Sequence, residues 1–242
     1  MELVYPNWSA PSQVNGFSTT RDGGISQPPF DALNLGFHVG DDVSHVQYNR
    51  QLLNRHLPAP ALWLNQTHSN AVVVVDSDYP IQGHTPDADA FYTKCKNQPM
   101  AIMTADCLPI FLCDKQGSQI AVVHGGWRGL ASGIIANTVA QFDCATTDIL
   151  AYLGPAIGPD AFEVGGDVVD AFASLGTASL FKVKTNGQYW ADIFAIATSQ
   201  LNQLGINAVF SEQLCTYQNP DLFFSYRRTP HTGRMAHIIW LS

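Results

Sequence analysis

The sequence predicts a mixed α+β (α/β-mixed) fold: one compact domain over residues 1–242, with mixed β-sheets flanked by helices. Three observations carry this. Short apolar runs rich in β-branched residues alternate along the chain with stretches of helical periodicity. No linker, low-complexity tract or repeat divides the 242 residues, a length that one large core can hold. The runs are joined by tight turns in some places and helical stretches in others, which gives hairpins as well as crossovers and argues against a doubly wound parallel sheet.

In chain order, Val72 to Val75, Met100 to Thr104, Ile110 to Cys113 and Ile120 to Val123 read as buried strands. Leu130, Ile134, Ile135, Val139 and Phe142 fall at helical spacing and predict one amphipathic helix over 130–142. Val168, Val169, Phe172 and Leu175 predict a second, starting near Gly166-Asp167. Ile193, Phe194, Ala197, Leu201 and Leu204 predict a third, stopped by Gly205. Val209-Phe210, Phe223 to Tyr226 and Met235 to Leu241 read as closing strands.

Composition narrows the function. The net charge of −8 argues against a nucleic-acid surface, which needs clustered Lys and Arg. Charged residues make up 13% of the chain, roughly half the ~25% usual for soluble domains, so any anion must be met by a few local cations. The N-terminal stretch has no secretory pattern, and the longest aliphatic run, Ala71 to Val75, is far short of the ~20 residues a membrane helix needs. Five Cys without a CxxC pair read as reduced thiols, and the expected location is the cytoplasm. Monomer and homodimer both fit.

Three soft-metal donors stand where an apolar run meets a polar turn: His68 in WLNQTHSNAVVVV, Cys107 in MAIMTADCLPIFL and His124 in IAVVHGGWRG. Two imidazoles and a thiolate suit zinc, with a fourth position free. Cys107 departs from the usual buried cysteine because TADCLP breaks an apolar double strand with an acid and a proline. Glycines after His124 allow close backbone approach and lead into a helix whose N-terminus could hold an anion. The spacings alone leave both a metal site and structural histidines open. His45, His56, His84, His231 and His237 lack such contexts and read as surface or packing residues.

Candidate anion-binding residues are Arg21 in FSTTRDGG, Arg128 in GGWRG, and Arg227 with Arg228 in FFSYRRT, since guanidinium forks match phosphate oxygens. Asn34 and His38 in NLGFHVGDD are candidate contacts to a substrate. Asp106 and Glu163 are candidate acids for proton transfer or for orienting a metal-bound histidine.

FSTTRDGG, FDALNLGFHVGDD, NQTHSNAV, DADAFYT, MTADCLPIFLCD, AVVHGGWRGL, YLGPAIGP with AFEVG, FFSYRR and TGRMAHIIW, in this order, resemble the laccase-like family once called multicopper polyphenol oxidoreductases. Its members are now described as purine nucleoside phosphorylases and, in bacteria, also as peptidoglycan editing factors. The likeness spans nearly the whole chain. It implies a metal site on His68, Cys107 and His124, zinc as the ion with copper also possible, and phosphorolysis of adenosine and inosine. It further implies adenosine deamination, methylthioadenosine phosphorolysis, and a fold shared with the catalytic domain of a bacterial deamidating toxin. Many relatives have AGW where this chain has GGW after His124, an exchange expected to be tolerated.

Three rival readings draw on the same residues. A Cys-His hydrolase acting on peptidoglycan precursors would use Cys107 as nucleophile and His124 as base, but leaves His68 without a role. A copper-dependent polyphenol oxidase is disfavoured by the lack of any His-x-His pair. A purely structural zinc is disfavoured by three donors instead of four.

Overall fold

The computed structural model describes residues 1–80, 83, 85–176 and 178–242; His84 lies outside them. The first seven strands are β1 (Leu3–Val4), β2 (Val14–Thr19), β3 (Val72–Val75), β4 (Ala90–Thr93), β5 (Met100–Thr104), β6 (Leu108–Asp114) and β7 (Ile120–Gly125). They are followed by β8 (Ile149–Leu153), β9 (Glu163–Val164), β10 (Phe181–Val183), β11 (Tyr189–Ala191), β12 (Ala208–Phe210) and β13 (Met235–Leu241). The helices are α1 (Val43–Asn54), α2 (Trp127–Ala131), α3 (Ile134–Val139), α4 (Gly166–Ala171) and α5 (Ile193–Gln203).

A six-stranded sheet runs β12-β8-β6-β7-β4-β3. Its outer pairs, β12 with β8 and β3 with β4, are parallel and its inner pairs antiparallel, so it is mixed as expected. A four-stranded antiparallel sheet, β1-β2-β13-β5, covers one face of it, and a small β10-β11-β9 sheet stands apart in the ladder. Side chains alternate across a strand. On β6, Leu108, Ile110 and Leu112 pack with α3 and α5, while Phe111 and Cys113 face Ile102 and Ile239 of the four-stranded sheet. The same alternation sends Val122 of β7 to the face between the sheets. Burial on both faces explains why β6 and β7 read as continuous apolar runs.

The 130–142 helix is in fact two, α2 and α3, broken at Gly133 with φ 90°. Its five apolar positions are buried all the same, because the break keeps them on one side. The second helix ends at Ala171 and continues as a 3-10 turn over Ala173–Leu175. Phe223 to Tyr226 is not a strand. Phe223 and Phe224 are fully buried, but side-chain hydrogen bonds, described below, hold this segment instead of a ladder. The sequence reading missed α1, whose buried set is only Val46, Asn49 and Leu53, too sparse a stripe to register. Among the described residues no helix is long and apolar enough to cross a membrane.

Candidate metal centre

Cross-strand register brings two of the donors together. Leu108 pairs with Gly125 and Pro109 with His124, so Cys107, in the turn between β5 and β6, flanks His124 at one end of the six-stranded sheet. Asp89 sits just before β4, and its backbone carbonyl accepts the His124 N–H at 2.7 Å. His68 arrives on a loop, not on a strand end as the sequence suggested, with φ 60°. That left-handed conformation is unfavourable for a side chain with a Cβ and needs to be held.

Asp89 holds it. Its carboxylate, fully buried, accepts the N–H of Thr67 (3.2 Å), His68 (3.0 Å) and Ser69 (2.6 Å), and the Ser69 hydroxyl (2.7 Å). It also accepts His124 Nδ1–H at 2.7 Å. One carboxylate therefore fixes both histidine-bearing segments and leaves the other nitrogen of His124 for a metal or for the thiol. Sequence reasoning quoted this residue in DADAFYT but gave it no role.

The donor atoms of His68, Cys107 and His124 lie within 4.8 Å of one another, and among the described residues they form the one such cluster. Cys107 Sγ lies 3.9 Å from His68 Nε2, and the two imidazoles meet edge to face at 79°. His124 is buried, Cys107 half-buried and His68 exposed, so the cluster opens on one side. Gly126 backs it: a Cβ there would stand 2.8 Å from His68 Cδ2 and 3.4 Å from Cys107 Sγ. Two nitrogens and a sulfur, oriented by a carboxylate and packed on a bare backbone, fit a first-row metal of the zinc or copper kind. A Cβ at Gly125 would meet the Leu108 carbonyl oxygen at 2.8 Å. The Gly-to-Ala exchange after His124, expected to be tolerated, thus requires the β6–β7 ends to part slightly.

Burial pushes the Cys107 thiol up, but the His124 charge and hydrogen bonds from His124 and His68 outweigh it and bring it down to about 6. Burial pulls His124 down, while the Cys107 thiolate and Asp89 raise it to about 9. Without an ion the two form a thiolate–imidazolium pair. Alkylation of metal-free protein, followed at Cys107 by peptide mapping, should therefore accelerate through about pH 6 and level off by neutrality. A midpoint near the ordinary thiol value of ~8.5 would show that the imidazoles do not act on the sulfur.

The cluster forms one wall of a cleft of about 490 Å³. Of the predicted residues, His38, Asp106, Arg128 and Arg227 also line it. Arg128 stacks on Trp127 at 4.2 Å and makes no hydrogen bond to the described residues, so its guanidinium is free for an anion. Arg227 spends two donors on the Ala161 and Glu163 carbonyls and keeps the rest. His38 is lowered by burial and by the charges of Arg234 and Arg50, so it is neutral at pH 7. The lining also includes apolar and aromatic side chains: Ile157, Phe162, Ile193 and Tyr226.

Other candidates serve the scaffold. Asp106 lines the cleft, but its carboxylate accepts the hydroxyls of Thr216 (2.6 Å) and Ser225 (3.0 Å) and the N–H of Arg227 (2.7 Å). It orients the arginine loop, not a histidine. Arg21 lies outside the cleft lining; it is spent on Asp31 and on the Asp31 and Pro220 carbonyls. Arg228 caps the Thr216, Tyr217 and Phe223 carbonyls. Glu163 is paired with Lys184, and Asn34 is fully buried, fastening Gly36, Asp41 and Arg234 N–H. The helix N-terminus expected after His124 belongs to the five-residue α2, too short to focus a dipole. The sequence reading overlooked Arg234 and Gln66, both in the cleft wall; Gln66 clamps the Met103 N–H and C=O at 2.7 and 2.8 Å.

A family model described as multi-copper polyphenol oxidoreductase laccase matches residues 15–242. The chain belongs to that family. Within this laccase-like family it is 42% identical to a protein named purine nucleoside phosphorylase from Haemophilus influenzae, over 99% of each chain. It is 43% identical to purine nucleoside phosphorylase YfiH of Escherichia coli, again over 99% of each. The crystal structure of Neisseria meningitidis protein NMB0706 superposes over 100% of each chain with a TM-score of 0.95 at 43% identity. That of Bacillus licheniformis YfiH covers 95% of this chain and 93% of its own, with a TM-score of 0.90 at 31% identity. The mixed α+β architecture is thus common to the family.

Proposed function

We propose that the protein is a metal-dependent purine nucleoside phosphorylase that cleaves adenosine and inosine with phosphate, in the cytoplasm, where its five unpaired cysteines stay reduced. The observation that carries the reading is one cleft joining three features: an open-sided N/N/S cluster, aromatic side chains and an arginine that makes no hydrogen bond to the described residues. The names of relatives 42–43% identical point the same way. Zinc is the proposed ion and copper the alternative; His68, Cys107 and His124 would hold it, and it would supply Lewis acidity at one side of the cleft.

The chain's own residues do the rest. Trp127, Phe162 and Tyr226 flank a flat purine. Arg128, with the spare donors of Arg227, holds phosphate as a dianion, and Asp106 keeps the Arg227 loop in place for it. A phosphate oxygen bonds to the ribose anomeric carbon as the glycosidic bond breaks, and the purine leaves with the proton that the hydrogenphosphate dianion gives up, so that ribose 1-phosphate keeps the two negative charges. Adenosine deamination and methylthioadenosine phosphorolysis are proposed as further activities of the same cleft.

The test is incubation with adenosine, with and without phosphate. Ribose 1-phosphate is expected only with phosphate, whereas inosine from deamination is expected in both. Free ribose formed equally fast in either case would make the enzyme a nucleosidase.

One observation favours a second reading. Asp89, His124 and Cys107 line up as carboxylate, imidazole and thiol, the order a Cys-His hydrolase acting on peptidoglycan precursors needs. Against it stands His68, 3.9 Å from the same sulfur and without a task in that mechanism. A polyphenol oxidase using several coppers finds only the one donor cluster among the described residues.

A further inference from the structure

Between the two large sheets, in an otherwise apolar layer, lies a chain of three polar side chains. His237 of β13 is fully buried, with Nδ1 2.7 Å from Ser18 Oγ of β2 and Nε2 2.7 Å from Thr104 Oγ1 of β5. Register explains the contact: His237 pairs with Ser18 on one side and Ile102 on the other, and Thr104 follows Ile102 on the same face. Phe111, 6.5 Å from the imidazole, closes the layer. Burial, and secondly the charge of His124, lower His237 to about 3, so its ring is neutral and carries one proton.

The proton count has a direction. Ser18, His237 and Thr104 bring three protons to two contacts, so one proton is left over at one end. At the Ser18 end it would be stranded: Ser18 is 1% exposed, and among the described residues its hydroxyl makes no other hydrogen bond. An orphaned buried donor is costly. Thr104 is itself only 2% exposed, but unlike Ser18 it belongs to the cleft lining, three residues before Cys107, so at this end the proton can meet a bound molecule. The favoured arrangement runs Ser18 O–H to Nδ1 and Nε2–H to Thr104 Oγ1, leaving the Thr104 hydroxyl to donate outward.

We infer that Thr104 is a substrate-binding hydrogen-bond donor of the cleft, fixed in that sense by His237 as a positioning residue with Ser18 behind it. The partner is an acceptor atom of the bound nucleoside, a ring nitrogen or a ribose oxygen. Its identity rests on the phosphorylase reading, but the direction of the hydroxyl does not.

Two measurements test this. Long-range ¹H–¹⁵N correlation spectra of the labelled wild-type protein at neutral pH report which His237 nitrogen carries the proton, with His237→Gln giving the assignment. Nε2–H is expected; an Nδ1–H ring overturns the proposal, since Thr104 must then donate inward. In kinetics, Thr104→Val is expected to raise the KM for adenosine about five- to tenfold, the worth of one neutral hydrogen bond, with kcat changing less and metal content unaltered. Thr104→Ser should restore KM, which a purely structural role for the hydroxyl would not require. A folded Thr104→Val enzyme with wild-type KM also overturns the proposal; if that variant does not fold, the spectra of the wild type decide. Wild-type protein inert to adenosine and phosphate but with an Nε2–H ring would sink the phosphorylase reading alone.

Discussion

Cys107→Ala is expected to suppress purine release from adenosine and phosphate by ~10³-fold or more while the chain remains folded, because removing even one electrostatic stabiliser from an active site costs up to about that much. The sulfur is half-buried in the cleft lining and belongs to none of the apolar clusters, so its loss opens no large cavity. What it removes is one of three donors within 4.8 Å of one another. Two imidazoles hold a borderline-soft ion far less well than two imidazoles and a thiolate. Metal bound per chain, measured on the same sample as the rate, should fall with it. A Cys107→Ala protein that keeps the wild-type rate would take the cluster out of the chemistry altogether. His68→Ala separates the two mechanisms that share Cys107. A metal enzyme loses ion and activity together, whereas a thiol hydrolase retains turnover, since His124 and Asp89 still serve the sulfur.

How much of this the chain discloses in one dimension depends on what kind of fact is asked. Donors of unusual type at the junction of an apolar run and a polar turn stand out, and His68, Cys107 and His124 do converge. Strands buried on both faces are legible as runs, but β4 and β8, just as buried, were passed over because Tyr92 and Tyr152 interrupt the aliphatic pattern. The hydroxyl of each is accommodated by a long-range partner, Gln119 and Glu212, that no local window contains. Arginines show the limit most plainly. Arg21 and Arg128 sit in equally Gly-rich contexts, yet one is spent on Asp31 and two backbone carbonyls while the other, stacked on Trp127, makes no hydrogen bond to the described residues. Whether a guanidinium has spare donors depends on carbonyls up to 199 residues away. Asp89 was hidden for a related reason. An acid before a strand looks like a solvated turn, and only the loop folding back over it reveals five donors aimed at one carboxylate.

Those five donors make Asp89→Asn the second severe substitution. Asn is nearly isosteric, but it replaces one acceptor oxygen with an NH₂ group. Either orientation sets that group against N–H or O–H donors, since Oδ1 serves His68 and His124 and Oδ2 serves Thr67 and Ser69. The side chain is 0% exposed, so no water can take up the slack. A loss of about 3 kcal/mol or more is expected from orphaned donors and a broken buried pair. Metal affinity should drop roughly 10- to 100-fold, because His124 loses the partner that fixes its ring and His68 the one that holds its backbone at positive φ. The pH dependence carries its own signature. Burial would push the Asp89 carboxyl up, yet the His124 hydrogen bond and charge and the Ser69 donors hold it at about 2, below the ordinary 3.8. A depressed carboxyl contributes its stability in full above the unfolded value and loses it as pH falls towards the folded one. The gap between wild type and Asp89→Asn in urea unfolding should thus be widest between about pH 4 and pH 6 and narrow below that towards about pH 2. It should narrow again on the alkaline side as pH rises towards about 9, where His124, raised in part by Asp89, gives up its proton. A gap unchanged on both sides would mean that the carboxylate's charge is not what holds the two histidine segments together; equal zinc affinity in competition titrations would mean that their positions do not matter to the ion.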